Sequence, residues 1–427
     1  MSIIQVKNVL FGDCNIIENG NKVLVVDCGT LSQGFRSSGM RTLPAKIFAY
    51  SKIRFLENSS YLNNNLLISH YHTDHFNGIL YLAKRKKIRF NHIYLPYTVL
   101  QSEDYENKVL SNDRVSNLAS LFCVALPNSY SNEITKDLLK LWRELQNLVN
   151  DFHNIRCLKQ GDKFVFGHLM NEVLWPKVVL QLSDKDFESN TFQDNNKTAK
   201  KKKEISQFLK NTGRQKEYDN IYKLLYELLR LLNDEARSLK GYNATLKELE
   251  KKVRETKART ANTFNNAKDA KKRKEMRDIS MAAYHCYIND ENERAIVFHE
   301  KTNKGTAGYV FLSDVSDWVI REIWNEPQFV FKNQYTVVKV QHHGTDPHYS
   351  PRMPNGSNYI ISNGARQNWP VSERLVADIC RRNSNNQIYC TGAHANCYGG
   401  TTDYCQCKTC CPVKRANVKF NDNDITL

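Results

Sequence analysis

The chain has 427 residues, of which 41% are hydrophobic, so it is long enough for two or three domains and apolar enough to bury a core. Its formal net charge of +16 favours a polyanionic partner, and we expect nucleic acid. The sequence shows neither the roughly 20 consecutive apolar residues of a membrane span nor a secretory signal. We therefore expect a cytoplasmic protein without a membrane partner.

The first half of the chain alternates strand and helix patterns. Two apolar runs, CNIIE and KVLVVDCG, flank the Asn-Gly turn of a hairpin, and Asp27 stands at the end of the second run. Further strands are predicted at 66–69 and 92–96, with a helical pattern between them. Helices are expected near 113–126 and 132–150. This alternation predicts an α/β fold.

Residues 183–281 interrupt the alternation with a polar stretch that contains 25 basic and 16 acidic side chains. Apolar residues recur there at helical spacing on two stripes, which predict a helical, coiled-coil-like hairpin: Ile221, Leu224, Leu225, Leu228 and Leu232, then Leu246, Leu249 and Val253. The insertion is interpreted as a solvated spacer, a nucleic-acid-binding arm or a docking site for a protein partner. Stripes that pack on each other predict a monomer, whereas exposed stripes predict a dimer or a partner.

Strand patterns resume after the insertion, at RAIVFHE, GYVFLSD and TVVKVQHHG. We therefore expect residues 1–182 and 282–427 to form the two halves of one core, separated by the basic helical insertion at 183–281. The second half includes a cysteine-rich tail at 390–411.

The segment ISHYHTDHFNG places three histidines and an aspartate within six positions, directly after an apolar run. His70 and His72 point the same way on an extended chain, because side chains alternate with period two, so they suit one metal ion. Asp74 and His75 follow at once and suit a second ion nearby. Imidazole and carboxylate ligands together favour zinc, manganese or iron. Two such ions about 3.5–4 Å apart would share a hydroxide that is nucleophilic at neutral pH.

Other strand ends carry acidic or histidine side chains that suit the same site. Asp27, Asp314 and the pair His342-His343 each follow an apolar strand pattern. We expect them to reach the edge of the sheets where the histidine cluster lies, with Asp314 as a carboxylate shared by both metal ions.

These motifs resemble those of the metallo-β-lactamase superfamily. HYHTDHFNG is similar to its His-x-His-x-Asp-His signature, and the closer resemblance is to the ComEC-type hydrolase (nuclease) domain. That domain resembles this chain at the segments FGDCNIIENGNKVLVVDCG, LKQGDKFVFG, NEVLWP, VFLSD, VQHHGT and NYIISNG, which keep their order across 5–182 and 290–394. The resemblance covers the core but neither the insertion nor the tail, and it does not extend to the channel part of ComEC.

The resemblance implies an αββα sandwich with two divalent metal ions, zinc or manganese, between the sheets. By position it implies these metal ligands, with Asp314 as the bridge: Asp27, His70, His72, Asp74, His75, Asp314 and His342. The resemblance leaves open whether His342 or His343 is the last ligand, and the other histidine takes a catalytic role. Many members of the superfamily have one further histidine, for which this chain offers no convincing motif among His153, His168, His285 and His299.

The superfamily hydrolyses several kinds of bond, so the fold alone does not choose the substrate. The positive charge, the basic insertion and the resemblance to a nuclease domain favour a phosphodiester in DNA or RNA. Asp74 and His343 are then expected to act in catalysis, and Lys339 and His348 to contact the substrate. The alternatives are hydrolysis of a small ester, amide or nucleotide, a non-catalytic metal-dependent binding module, and a component of a multi-protein system.

The tail carries a Cys-x-x-Cys pair that is typical of one half of a structural zinc site. The candidate zinc ligands are Cys397, Cys405, Cys407, Cys410 and Cys411, with Cys390 and His394 as competitors. The alternative is a set of reduced surface thiols, since a cytosolic protein keeps its cysteines reduced.

Overall fold

The computed structural model describes residues 2–31, 34–35, 42–57, 63–98, 114–177, 191–267, 269–301, 306–363, 371–383, 385–391, 418–420 and 425–427. The described residues divide into two compact units. The sheet unit lies within Met1–Pro96, Asn147–Lys177 and Asn292–Leu427, and the helical unit lies within Tyr97–Gln146 and Val178–Glu291.

The described strands, in chain order, are β1 (Ser2–Val6), β2 (Cys14–Asn19), β3 (Lys22–Cys28), β4 (Gly34–Phe35), β5 (Thr42–Leu43), β6 (Asn63–Leu67), β7 (His92–Pro96), β8 (Ile155–Leu158), β9 (Lys163–Phe166), β10 (Leu169–Trp175), β11 (Val297–Glu300), β12 (Thr306–Phe311), β13 (Gln334–Lys339), β14 (Gly356–Ile361), β15 (Gln387–Cys390), β16 (Val418–Phe420) and β17 (Ile425–Thr426).

The described helices are α1 (Ala45–Ser51), α2 (Thr73–Arg85), α3 (Arg114–Val124), α4 (Tyr130–Leu148), α5 (Thr191–Asn211), α6 (Gln215–Asn233), α7 (Leu239–Asn266), α8 (Ala270–Glu293), α9 (Asp317–Asn325) and α10 (Glu373–Arg382). Together with the strands they make a mixed α/β protein, as the alternating sequence pattern predicts. Among the described residues, no helix combines the length and apolar composition needed to cross a membrane.

The first large sheet has the strand order β17-β1-β2-β3-β6-β7-β8. It begins with the predicted hairpin of β2 and β3, in which Asn19 faces Lys22. The turn residue Gly20 has a left-handed φ of 62°, a conformation that favours glycine in a two-residue hairpin loop. From β3 to β8 the strands run parallel, so their carboxyl ends meet at one edge.

The second large sheet has the order β16-β15-β14-β13-β12-β11-β10-β9, and its strands from β12 to β16 are parallel. The two sheets share one apolar core, to which alternate side chains of both contribute. Its members include Ile17, Leu24, Val26 and Leu67 from the first sheet and Phe164, Val173, Phe298, Phe311, Val337 and Ile360 from the second. The carboxyl ends of the parallel strands in both sheets carry the polar residues described below.

The helical unit contains α5 to α8 and also α3 and most of α4. The sequence pattern assigned 97–146 to the first half of the core, whereas the division into compact units joins these residues to the insertion. The boundaries at 182 and 281 stay a prediction.

The two apolar stripes of the insertion lie on α6 and α7. Seven of their eight residues are buried and Leu224 is half-buried; the buried ones are Ile221, Leu225, Leu228, Leu232, Leu246, Leu249 and Val253. They pack inside the helical unit. This burial favours the interpretation in which the stripes pack on each other, and binding of a protein partner stays a prediction.

Candidate metal centre

Histidine and aspartate side chains from several strand ends converge in the sheet unit. They form two groups whose ligand atoms lie within 4.8 Å of one another, and Asp314 belongs to both. The first group is His70, His72 and Asp314, and the second is Asp13, His75, Asp314 and His343. Every member is buried.

The chain positions these residues at the carboxyl edge of the sheets. His70 follows β6, and His72 is the residue before the first turn of α2, which contains Asp74 and His75. Asp314 follows β12 in the other sheet. Gly29 permits the close approach of β3 to this helix, because a Cβ atom there would lie 2.5 Å from the carbonyl carbon of Asp74.

Distances between ligand atoms are equal to or somewhat longer than those around a shared metal ion. Tetrahedral ligands about 2.0–2.1 Å from one ion lie roughly 3.3 Å apart. Oδ2 of Asp314 is 3.3 Å from Nε2 of His75 and 3.7 Å from Nε2 of His343, and that Nε2 is 3.5 Å from Oδ2 of Asp74. On the other side, Nε2 of His70 is 3.9 Å from the same oxygen of Asp314.

Several of these atoms are buried polar groups that form no hydrogen bond with the described residues. They are Nε2 of His70, His75 and His343, and Oδ1 of Asp314. Buried polar atoms are nearly always satisfied, so a cluster of unsatisfied ones needs an explanation. Nitrogen and carboxylate donors that face one another fit a zinc, manganese or iron ion.

The opposite ring nitrogen of each of these histidines has a partner that fixes the ring. Nδ1 of His75 lies 2.9 Å from Oδ2 of Asp27, and Nδ1 of His343 lies 2.7 Å from the carbonyl oxygen of Ser362. A proton held on Nδ1 leaves the lone pair of Nε2 free for a metal, as in carboxylate–histidine–metal arrangements. Both rings are therefore oriented as ligands.

Asp27 itself belongs to neither group. Its Oδ1 accepts a hydrogen bond of 2.7 Å from the backbone N–H of Ser69, and its Oδ2 accepts one of 2.7 Å from the hydroxyl of Ser69. Because Nδ1 of His75 also contacts Oδ2, both oxygens of the Asp27 carboxylate have hydrogen-bond partners. The sequence assigns Asp27 a ligand role, and the structure places it where it orients the ring of His75.

The carboxylates draw positive charge into the site. Burial opposes the charged form of His75, but Asp314 and Asp27 raise its pKa well above the usual value. Burial likewise opposes charge on His343, and Asp314 and Asp74 nevertheless raise its pKa. A divalent ion held by these residues would supply the same compensating charge to the buried carboxylates.

Other members of the site have pKa shifts that suit ligands. Burial and the ring of His75 lower the pKa of His70 well below its usual value, so this ring is neutral. Burial would raise the pKa of Asp314, but the surrounding imidazoles hold it well below its usual value. Burial would also raise the pKa of Asp74, yet His343 and His75 lower it to about 2.

His342 and His348 lie at the rim of the site and are half-buried. Their rings stack in parallel, with centroids 3.5 Å apart and 4° between the planes. Nδ1 of His342 is 3.3 Å from the backbone oxygen of Asp314. Of the histidine pair, the structure therefore brings His343 into a ligand group and leaves His342 beside it.

Sequence reasoning missed Asp13, which the loop before β2 carries into the second group. It lies against Lys339, the last residue of β13, with 2.9 Å between Nζ and Oδ1. Burial would raise the pKa of Asp13, but Lys339 and then His343 lower it. The segment FGDC has the pattern of a turn. No histidine lies near its aspartate in the sequence to indicate a metal site. Lys339, predicted to contact substrate, is buried on this partner.

Backbone strain coincides with the site. Residues that carry a Cβ rarely adopt the left-handed region, and where they do the strain is often functional. Four positions at or beside the site have positive φ: Asp27 (60°), Ser313 (49°), His342 (42°) and His343 (56°).

The histidines that the sequence offered as a further ligand lie elsewhere. Nδ1 of His299 is 2.7 Å from the hydroxyl of Tyr335, and Nε2 of His168 is 3.2 Å from the amide nitrogen of Asn19. His153 and His285 are exposed. Within the described residues none of the four joins either group. The tail cysteines Cys397, Cys405, Cys407, Cys410 and Cys411 lie outside the described residues.

Comparisons with known proteins add little to this geometry. No family model matches the sequence, and no curated protein matches it. Among solved structures, a flavoprotein from Thermotoga maritima aligns over 96% of this chain and 83% of its own at 9% identity, with a TM-score of 0.19. A flavo di-iron protein variant from the same organism aligns over the same shares at 10% identity and a TM-score of 0.19. Likenesses this weak carry no argument about this chain.

Proposed function

We propose that the protein is a metal-dependent hydrolase of the metallo-β-lactamase αββα type, close to the ComEC-type hydrolase domain, that cleaves phosphodiester bonds in DNA or RNA. The supporting observation is the convergence of unsatisfied Nε2 atoms of buried histidines on the shared carboxylate of Asp314. A purely structural histidine cluster would satisfy these atoms with hydrogen bonds.

Each group would hold one divalent ion, with Asp74 in place of Asp13 in the second, because Oδ2 of Asp74 lies 3.5 Å from Nε2 of His343. His70, His72 and Asp314 form the first position, and Asp74, His75 and His343 complete the second around the same Asp314. Zinc or manganese bound there would offset the negative charge of a phosphodiester and lower the pKa of a water.

The chain's own residues then orient the reactants. Asp74 is ionised at neutral pH, because its pKa is about 2, so its carboxylate can accept a hydrogen bond from the attacking water and hold that water in line. The stacked rings of His342 and His348 form the half-buried rim, where they contact the phosphodiester and its leaving group. Lys339 is buried and takes no part in substrate contact.

The charge of the helical unit supports a nucleic acid substrate. Basic side chains are exposed along two of its helices, so they can contact the phosphate groups of a nucleic acid. On α5 and α8 the exposed residues include Lys197, Lys200, Lys203, Lys271, Lys272, Arg273, Lys274 and Arg277. Charge of this kind sets affinity for any nucleic acid without choosing a sequence.

A structural zinc in the cysteine tail is part of the same proposal.

A cleavage assay tests the proposal. Wild-type protein, His72→Ala and the exposed-histidine control His285→Ala would be incubated with plasmid, linear duplex, single-stranded DNA and RNA, each with zinc, manganese or magnesium. We expect metal-dependent cutting that His72→Ala loses and His285→Ala keeps. Metal-loaded, folded protein that cuts none of these but hydrolyses a small ester or nucleotide would contradict the nuclease proposal.

A second arm tests the role of the basic helices. Reversing Lys271, Lys272 and Lys274 to Glu should weaken DNA binding and flatten its salt dependence, since each lost phosphate contact reduces the slope by about one. Cleavage of bis(p-nitrophenyl) phosphate should not change, because that molecule carries a single phosphate and offers these helices no flanking phosphates to bind. An unchanged affinity for DNA would remove the helical unit from substrate binding.

A further inference from the structure

A buried ion pair connects the two sheets beside the metal centre. Nζ of Lys339 lies 2.9 Å from Oδ1 and 3.3 Å from Oδ2 of Asp13, and each side chain is 2% exposed. Asp13 precedes β2 in the first sheet and Lys339 ends β13 in the second. The pair therefore spans the interface between the sheets at the edge where the ligands converge.

Asp13 is also tied to the ligand-bearing segments through its backbone. Its N–H donates a hydrogen bond of 3.1 Å to the carbonyl oxygen of Asp74, and its carbonyl oxygen accepts one of 2.9 Å from Gly29. A side chain fixed at Asp13 thus fixes the first turn of α2, which contains Asp74 and His75.

The second metal position is complete without the Asp13 carboxylate. Nε2 of His343 faces Asp74 and Asp314 at 3.5 and 3.7 Å, whereas Asp13 lies 3.9 Å from Nδ1, the opposite nitrogen of that ring. That Nδ1 is already paired with Ser362. The carboxylate of Asp13 is thus on the far side of the imidazole from the ligand atoms.

Lys339 is equally unsuited to bind substrate. Besides Asp13, its ammonium group donates only to the backbone oxygen of Val340, at 3.3 Å, among the described residues. The pair borders a cavity of about 10 Å³, which is room for about one water molecule and not for a phosphate.

We propose that Asp13 and Lys339 act as a positioning pair: their ion pair across the two sheets holds the Asp74 turn at the second metal position, and neither residue is a metal ligand or a substrate contact. This inference rests on the proposed function, because it presupposes that the site binds metal. The charge of Lys339 neutralises Asp13, so that the carboxylate does not compete with Asp74 for the ion.

A double-mutant cycle tests the pair, with Asp13→Asn, Lys339→Met and the combined variant compared with wild type, and Asp74→Asn as the reference for a lost ligand. The readouts are the Tm in saturating Mn²⁺ and the number of Mn²⁺ ions bound per chain by equilibrium dialysis. Each single change leaves a buried charge unpaired and should lower the Tm by roughly 6 °C or more. The combined variant should recover at least half of that loss and bind as many ions as wild type.

The outcomes separate the alternatives. Single variants that do not fold, beside a combined variant that folds and binds metal, also support the pair. Loss of one ion from Asp13→Asn and from the combined variant, as from Asp74→Asn, would show that Asp13 is a ligand and overturn the inference. Additive losses of Tm, or a combined variant that does not fold, would overturn it too. Neither readout involves cleavage, so a wild-type protein that binds metal but cuts no phosphodiester refutes the proposed function alone.

Discussion

Nε2 of His75 lies 3.3 Å from Oδ2 of Asp314, and both side chains are buried in the sheet unit. His75 comes from the helix that follows β6 in one sheet, and Asp314 from the end of β12 in the other. The contact therefore exists only when both sheets are correctly folded against each other. Asp314 belongs to both ligand groups, so the two groups share one carboxylate.

Replacement of Asp314 should affect metal binding more than replacement of any single histidine. We expect Asp314→Ala to bind no ion tightly, because both positions lose a ligand, and His75→Ala to lose one ion of two. Metal bound per chain after dialysis against Mn²⁺ measures this, and His285→Ala is the control for loss of an exposed histidine. Equal losses in Asp314→Ala and His75→Ala would contradict a shared carboxylate.

The two adjacent histidines should behave differently. His343→Ala removes a ligand and should lower the number of ions bound per chain. His342→Ala should keep both ions and lower the rate of phosphodiester cleavage by about tenfold or more, because the stack with His348 is lost at the rim. The opposite pattern in dialysis and rate would show that His342 is the ligand.

Asp27 should tune affinity without changing the number of ions. Asp27→Asn keeps a hydrogen-bonding group beside Nδ1 of His75 but removes its charge, and losses of this kind typically reduce metal affinity about 10–100-fold. Competition with a chelator measures the affinity, and stoichiometry at saturating metal should match wild type. A variant that stays one ion short even at saturation would make Asp27 a direct ligand.

Removal of one partner from a buried ion pair should destabilise the helical unit strongly. Nη2 of Arg114 lies 2.5 Å from Oε2 of Glu291, and both side chains are 0% exposed. Glu291→Gln removes the negative charge of Glu291 beside a buried guanidinium and should cost about 3–5 kcal/mol of unfolding free energy. Urea unfolding followed by helical circular dichroism measures this.

A matched control is the pair of Arg143 and Glu250, in which Arg143 is 55% exposed. Glu250→Gln should cost less than about 1 kcal/mol, because solvent screens the exposed pair. If Glu291→Gln proves as mild as this control, then the buried pair does not stabilise the fold.

Short-range sequence patterns predicted most of the strands and most of the candidate metal ligands. The apolar runs that predict strands overlap β2, β3, β7, β11, β12 and β13. The histidine motif was recognisable because its metal-binding residues are close in sequence. Asp314 and the pair His342-His343 stood out because each directly follows an apolar strand.

Side-chain contacts between residues that are distant in sequence could not be predicted from such patterns. Asp13 and Lys339 are separated by 326 positions, and no periodicity connects them. The orientation of Asp27 towards Ser69 and His75 depends on the side-chain hydrogen bonds of the folded edge, which spacing does not specify. The association of α3 with the insertion is likewise a tertiary contact, and the sequence of α3 alone indicates only a buried helix.

The most direct test of the account is a titration of metal-free protein with Mn²⁺, in which bound metal and the rate of plasmid cleavage are measured at each step. We expect no cleavage without metal, saturation at two ions per chain, and a rate that rises with occupancy. His72→Ala should saturate at fewer ions and cut far more slowly. Full cleavage in the presence of excess chelator, or two tightly bound ions with no cleavage of any phosphodiester, would contradict the account.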